Sequence, residues 1–544
     1  MIHLRSIYHV ARADFAERVR RYSFLVVMGL TVFAAYMFVP PYGSAYTSFV
    51  VASHRGYYNS PWVGTLFGVV AVTLLALIGF YFVKNSIARD HSTRVGQIIA
   101  STSVSKTDYV LGKWLSNVAV LAAILAVMTV MAPIMQLIRA EDTHLDLLAL
   151  ITPIWMMGLP ALALVAALAV LFESIPFLRG GLGNVVYFFL WGPVLMGTTA
   201  RQLVAGHGGT PFPDFAGVSR TMINIQRQLD AAGIDPNHGT FGVIGPREGA
   251  EFMRFWWSGM DWTLPMLLER LAWAGLALAV AMIAAIPFDR FDPARGGLLR
   301  LGKRFRPAAT AAKVQLDNGN ADVAVASNRR VEVRLTPLVQ TSAVSSLWTA
   351  IMAELRLMLQ GRSKWWYLVA AGLVISIPLV PSQLAAQLLF AAASIWPILI
   401  WSAMGNREVR FNTHEVIFSI AHPLRRQLPA AWLAGVVVTA LTGSGFAIRM
   451  MIFGEWQYLS GWIVGVMFVP SLALAMGVWS GGSRLFEIVY LMLWYISKEN
   501  GATAFDYRGA TPEAIASGIP YYYLAISIVL VAMAFAGRFR QLRK

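Results

Sequence analysis

Long apolar runs alternate with polar connections along the whole chain. Twelve runs approach the length of about 17–25 residues that a helix needs to cross a bilayer. They lie at 22–40, 62–83, 114–138, 149–171, 184–200 and 264–287, then at 365–381, 384–404, 430–453, 461–480, 485–498 and 518–537. The first and seventh runs are each preceded by an amphipathic stretch. In the first, Leu4, Tyr8, Ala11, Phe15, Val19 and Tyr22 share a helical stripe, and Arg5, Arg12, Glu17, Arg18, Arg20 and Arg21 fill the rest of the circumference. In the second, Leu347, Ile351, Leu355 and Met358 oppose Glu354, Arg356, Gln360 and Arg362. Such helices lie in the membrane interface. Acidic residues among the basic ones argue against a cleavable signal.

The pattern repeats. IARDHSTRVGQIIASTSVSKTDYVLGKWL (87–115) returns 320 positions later as VRFNTHEVIFSIAHPLRRQLPAAWLAG (409–435), placing Thr93 on Thr413, Ser103 on Pro423, Ser105 on Arg425 and Lys106 on Arg426. Each copy connects two apolar runs and reads as a short helix, a turn, and the start of the next span. Capping-box spacing at Asn412/Glu415 and Ser105/Asp108 supports that reading, with turns at Ser101–Ser103 and at His422-Pro423. A second match, NVVYFFLW (184–191) with EIVYLMLW (487–494), has an offset of 303. The fold expected is therefore all-α integral membrane, with about twelve transmembrane helices in two parallel six-span repeats, each preceded by an amphipathic interfacial helix. The halves are 1–287 and 345–544, joined by a basic linker at 288–344.

Composition agrees. Of 544 residues, 57% are hydrophobic and 13% charged, which excludes a soluble domain. The net charge of +16 would suit nucleic acid, but Lys and Arg cluster between apolar runs, as in cytoplasmic loops against an anionic leaflet. No nucleic-acid partner is expected. The basic segments place both termini in the cytoplasm, with Pro40-Pro41, Trp62, Trp456 and Tyr521–Tyr523 at interfaces. The absence of cysteine excludes disulfides and thiolate chemistry. Residues 201–262 are expected outside the cytoplasm, where Met222, Ile225 and Leu229 share a helix face and 233–236 make a turn. The linker reads as a flexible tether, with a small hairpin at 324–335 as the alternative.

Candidate chemistry is sparse. Gly112-Lys113-Trp114 and Gly302-Lys303-Arg304 lack the upstream glycine and following Ser/Thr of a phosphate loop. The nine histidines show no metal spacing, and no nucleophile–base set is evident, so no enzyme and no cofactor are expected in this chain. Gly443-Ser444-Gly445 reads as close helix packing. Glu173 and Glu487 stand at inner span ends and are candidates for a pathway entrance. Trp155, Met156, Met157, Phe188, Phe189, Trp191, Trp401, Met404 and Trp494 suggest an apolar pathway, hostile to an unneutralised ion.

An interfacial helix, six spans, and a loop such as TRVGQIIASTSVSKTDYVLGK after span two resemble the type-two permeases of ATP-binding-cassette exporters. The matching residues are Ser103-Val104-Ser105-Lys106 and Gly112-Lys113 in the first half, and Glu415 with Pro423-Leu424-Arg425 in the second. The second half lacks the Gly-Lys, and Val95 and Ser103 stand where the acid and the proline are expected. The resemblance implies a bacterial cytoplasmic-membrane permease, two halves fused in one chain. It would export an amphipathic or hydrophobic substrate, using an ATPase dimer that binds ATP and magnesium. The coupling residues implied are Thr93, Arg94, Ser103, Ser105, Lys106, Thr413, His414, Glu415, Pro423, Arg425 and Arg426. Two other classes stay open: an ion-coupled carrier, towards which ARDHSTRVG points faintly, and a membrane scaffold or sensor.

Overall fold

The structure is a computed structural model that describes residues 2–42, 44, 46–51, 54–192, 214, 216–234, 245–246, 253–291, 343–381, 383–418, 423–499, 503–509 and 511–543. It is mainly helical. The first half runs α1 (Ile2–Val19), α2 (Tyr22–Phe38), α3 (Ser60–Val70), a π-helical turn (Ala71–Leu75), α4 (Ala76–Val83), α5 (Ser86–Ser92), α6 (Val95–Ala100), α7 (Lys106–Arg139), α8 (Leu147–Ser174), α9 (Gly181–Gly192), α10 (Val218–Ala231) and α11 (Leu264–Ile283). The second half runs α12 (Ala343–Leu359), α13 (Lys364–Leu379), α14 (Gln383–Ile395), α15 (Ile398–Trp401), α16 (Arg407–Arg410), α17 (His414–Phe418), α18 (Pro423–Phe453), α19 (Gln457–Ser480), α20 (Arg484–Glu499), α21 (Pro512–Ala516) and α22 (Ile519–Leu542).

Every apolar run coincides with a helix, yet not every helix is a full span. Among the described residues seven are long and apolar enough to cross a membrane, or eight if the bent pair α1–α2 is counted as one, against the twelve expected. The shortfall has local causes. Pro397 starts a new turn and divides α14 from α15. α13 and α20 have 16 residues each. Residues 193–200 of the fifth run lie outside the described residues.

Packing repeats between the halves. α1 lies on α7 and α12 on α18; α2 lies on α7 and α13 on α18; α8 packs with α11, and α19 with α22. In a bilayer such contacts rest on close fit, since lipid is as apolar as a leucine. Gly445 shows this: a Cβ there would lie 2.3 Å from the Val374 carbonyl oxygen, so α18 and α13 touch backbone to backbone.

The amphipathic helix turns differently from its apolar stripe. α1 bends by 74° into α2. It buries Ala11, Asp14 and Arg18 and leaves Leu4 (73%) and Tyr8 (55%) exposed. The buried face thus runs through Ala11, Asp14 and Arg18, between the apolar stripe and the charged side. At the far end of the bundle from α5 and α6, α10 buries Val218, Met222, Ile225 and Leu229, the face expected from sequence. Beside it lie two small pairings, β1 (Tyr46–Thr47) antiparallel to β3 (Gly245–Pro246) and β2 (His54–Gly56) parallel to β4 (Met253–Phe255). The expected linker hairpin and the end of the 233–236 turn lie outside the described residues.

Candidate functional site

The first of the two repeated loops is built from caps. Asn85, in the left-handed region at φ 82°, turns the chain so that the start of α5 faces the end of α8. There Glu173 accepts hydrogen bonds from the backbone N–H groups of Asn85, Ser86 (3.0 Å), Ile87 (2.6 Å) and Ala88 (3.1 Å). One carboxylate satisfies the donors that a helix start leaves unpaired and meets the positive end of its dipole. Thr93 closes α5, its hydroxyl donating to the Arg89 carbonyl (3.0 Å), and Arg94 at φ 63° redirects the chain into α6. After the turn at Ser101–Ser103, the Ser105 hydroxyl accepts from the Asp108 N–H (3.1 Å) and starts α7. The helix–turn–helix reading holds. Thr93, Arg94 and Ser103 are exposed together with Val95 (42%) and Ile98 (66%). Ser105 and Lys106 are not: both are half-buried, and the Lys106 ammonium donates to the Phe288 carbonyl (2.7 Å).

In the second loop Thr413, Glu415, Arg425 and Arg426 are exposed, and His414 is half-buried with its ring 6.2 Å from Phe418. Pro423 occupies the first position of α18, where its missing N–H costs nothing. Asn412 corrects the expected cap. It sits in the left-handed region at φ 53°, two residues before α17 begins, and belongs to the turn. His422 lies outside the described residues.

Both loops are fastened to α1 and α12 by ion pairs, buried in the first half and half-buried in the second. Asp14 of α1 accepts from Lys113 (2.7 Å), Ser116 (2.6 Å), Arg18 (2.8 Å) and Arg89. Lys113 also reaches Asp90 (2.7 Å), which takes the Tyr109 hydroxyl (2.7 Å). Burial alone would push the Asp14 carboxyl up, but Lys113 and Arg18 outweigh it and hold it at about 2. In the second half Glu354 of α12 takes Arg407 (3.0 Å), while Glu408 takes Gln427 (2.6 Å) and Arg538 (3.3 Å). Burial pushes the Glu354 carboxyl up, against the pull of Arg407.

Glu173 and Glu487 are both fully buried. Neither faces an open entrance: Glu173 is spent on the α5 cap, and Glu487 accepts from the Asn184 amide. They do share one neighbourhood. Lys84 donates to Asn184 (2.7 Å) and to the Leu178 (3.0 Å) and Gly180 (3.1 Å) carbonyls, and Arg484 donates to the Lys84 carbonyl (3.1 Å). This polar junction joins α4, α8, α9 and α20. Above it Phe188 and Phe189 meet Trp494 at 6.5 and 5.9 Å between ring centres. Most of the expected pathway residues are packing: Met157, Trp401, Met404, Phe188 and Trp494 are buried in the core. Asn184 and Lys84 escaped the sequence reading, although Asn184 stands 303 positions before Glu487 and so occupies its place in the repeated octapeptide.

Among the described residues no group of three His, Asp or Glu side chains is placed to hold a metal ion. No protein-family model, curated protein or solved structure matches the chain.

Proposed function

We propose that the chain is the membrane subunit of an ATP-binding-cassette exporter, with two six-span halves fused in one polypeptide and both docking loops in the cytoplasm. The observation that carries this reading is the pair of loops themselves. Each presents exposed cations beside a short helix at one end of the bundle, and each is tied to its own interfacial helix by ion pairs, buried at Asp14 and half-buried at Glu354. A mere connector has no need of that rigidity. A partner that pushes on α6 or α17 would move α1 or α12 with it, and through them the spans. The partner proposed is an ATPase dimer, and the cargo an amphipathic or hydrophobic molecule leaving the inner leaflet.

Arg94→Glu with Ile98→Asp, and Arg425→Glu with Arg426→Glu, should each weaken capture of the ATP-binding subunit at least tenfold while the bundle stays folded. Undiminished capture by both variants would defeat the proposal. Lys106 is a poor choice for this test because it holds Phe288.

One observation favours an ion-coupled carrier instead. Lys84, Asn184 and Glu487 form a buried polar junction between apolar helices, the setting in which such carriers place their coupling groups. Transport in vesicles driven by a proton gradient without ATP, and abolished by Glu487→Gln, would select that reading.

A further inference from the structure

We infer that the cavity beneath the second docking loop binds a phosphate-bearing anion, of the kind carried by an acidic lipid headgroup. The inference stands whether or not the chain transports anything. The cavity measures about 540 Å³ and lies between α12, the α15–α16 connection and α17. That is within the range of about 300–1,000 Å³ typical of small-molecule sites.

Its charge is unbalanced. Arg362, Arg407 and Arg410 line it, against Glu354 and Glu408. Both carboxylates are already engaged, Glu354 by Arg407 and Glu408 by Arg538 and Gln427. Arg362 and Arg410 have no carboxylate partner among the described residues. The Arg362 guanidinium gives one hydrogen bond, to the Leu399 carbonyl (3.0 Å), and its buried Nε–H has no acceptor. A buried guanidinium N–H without an acceptor is unfavourable, and a phosphate oxygen is the acceptor its fork fits best. Leu357, Met358 and Ile417 supply an apolar wall beside these donors, which suits a headgroup still attached to its chains. The position of α12, an amphipathic helix before a span, puts the mouth at the depth where such headgroups lie.

In the first half the segment after α11 packs on the loop with aromatic rings. Phe288 stacks on Tyr109 with ring centres 5.2 Å apart, Phe291 packs over Gly96, and Arg290 donates to the Thr102 carbonyl (2.7 Å). The second loop is met instead by a charged group, Arg538 of α22, which donates to Glu408 (3.3 Å) and lies 5.1 Å from the Phe418 ring centre.

The test uses the full chain in nanodiscs of phosphatidylcholine with and without phosphatidylglycerol, read by native mass spectrometry of retained lipid and by unfolding temperature. The wild type should retain phosphatidylglycerol about tenfold over phosphatidylcholine and unfold at a higher temperature in its presence. Arg362→Gln with Arg410→Gln should lose that preference, while Arg94→Gln, on the first loop, should keep it. Ala403→Phe, which fills the cavity and keeps both arginines, guards against a folding defect and should lose it too. Inorganic phosphate separates the sources: stabilisation of wild type by phosphate alone, absent in the variants, assigns the site to a soluble anion of the same chemistry. Equal retention of both lipids together with no effect of phosphate would overturn the inference. So would a preference unchanged in either variant.

Discussion

Asp14→Asn isolates the tie between α1 and the loop that carries α5 and α6. Asp14 is 5% exposed and holds Lys113, Arg18, Arg89 and the Ser116 hydroxyl. Its carboxyl sits at about 2 rather than 3.8, so its net interaction with the folded surroundings is worth about 2 kcal/mol. Asparagine loses more, because it strips Arg18 of its carboxylate and leaves Lys113 only Asp90 and Arg89 only Glu17; breaking a buried pair costs about 3–5 kcal/mol. A loss of about 3 kcal/mol raises the detached population of α1 roughly a hundredfold. Limited trypsin digestion reads this as faster cleavage at Arg12 and Arg18 when cleavage samples the open state. The acid response has a definite sign. A carboxyl lowered by folding stabilises fully above 3.8, and that stability drains away as pH falls through about 2. An acid-active protease should therefore release α1 from the wild type only towards pH 2, and from Asp14→Asn without that pH step. A cleavage rate in Asp14→Asn within twofold of wild type would refute the account of α1 as clamped by charge.

Gly96→Val places a Cβ 2.5 Å from the Phe291 ring, so α6 must shift, and partner capture should fall several-fold; Phe291→Ala should restore it. Glu173→Gln removes the charge from a cap that serves four backbone donors, at a cost of about 1–2 kcal/mol. Hydrogen exchange should then show the amides of Ser86–Ala88 about tenfold less protected. Unchanged protection would mean that the cap is idle.

Much of this was legible along the chain because it is local. Apolar runs, the α10 face, the Ser105 cap and the small-residue contact at Gly445 each depend on residues a few positions apart. The orientation of α1 was not. Periodicity says that Leu4, Tyr8 and Phe15 share a face, but only Lys113 and Arg89 decide that the Asp14 face turns inward, and they lie far along the chain. A stripe of apolar residues next to lipid does not have to face protein, since lipid accepts it equally well. Glu173 was read as an entrance group for the same reason: nothing nearby in sequence reveals the four amides of α5 that fold over it. Lys106 matched a coupling motif by position, and its true contact is the carbonyl of Phe288, 182 residues on.

The Asn184–Glu487 contact bears on why two halves would be joined in one chain. These residues occupy the same place in the repeated octapeptide, and they touch each other. Contact between equivalents is what a two-fold axis produces where it passes through a pair. Two identical chains would have to put Asn against Asn there, or Glu against Glu. A buried pair of carboxylates repels, and one must take up a proton. Asn against Glu avoids this: the amide N–H₂ donates to the carboxylate while its oxygen accepts from Lys84 at 2.7 Å. Lys84 in turn holds the Leu178 and Gly180 carbonyls that lead into α9. Such a junction needs unlike residues at equivalent positions, which a homodimer cannot supply and a single fused chain can. The same freedom lets the first loop pack against Phe288 and Phe291, while the second meets Arg538 and borders a cavity lined with arginine. The asymmetry at both levels means that the two loop ends present different surfaces.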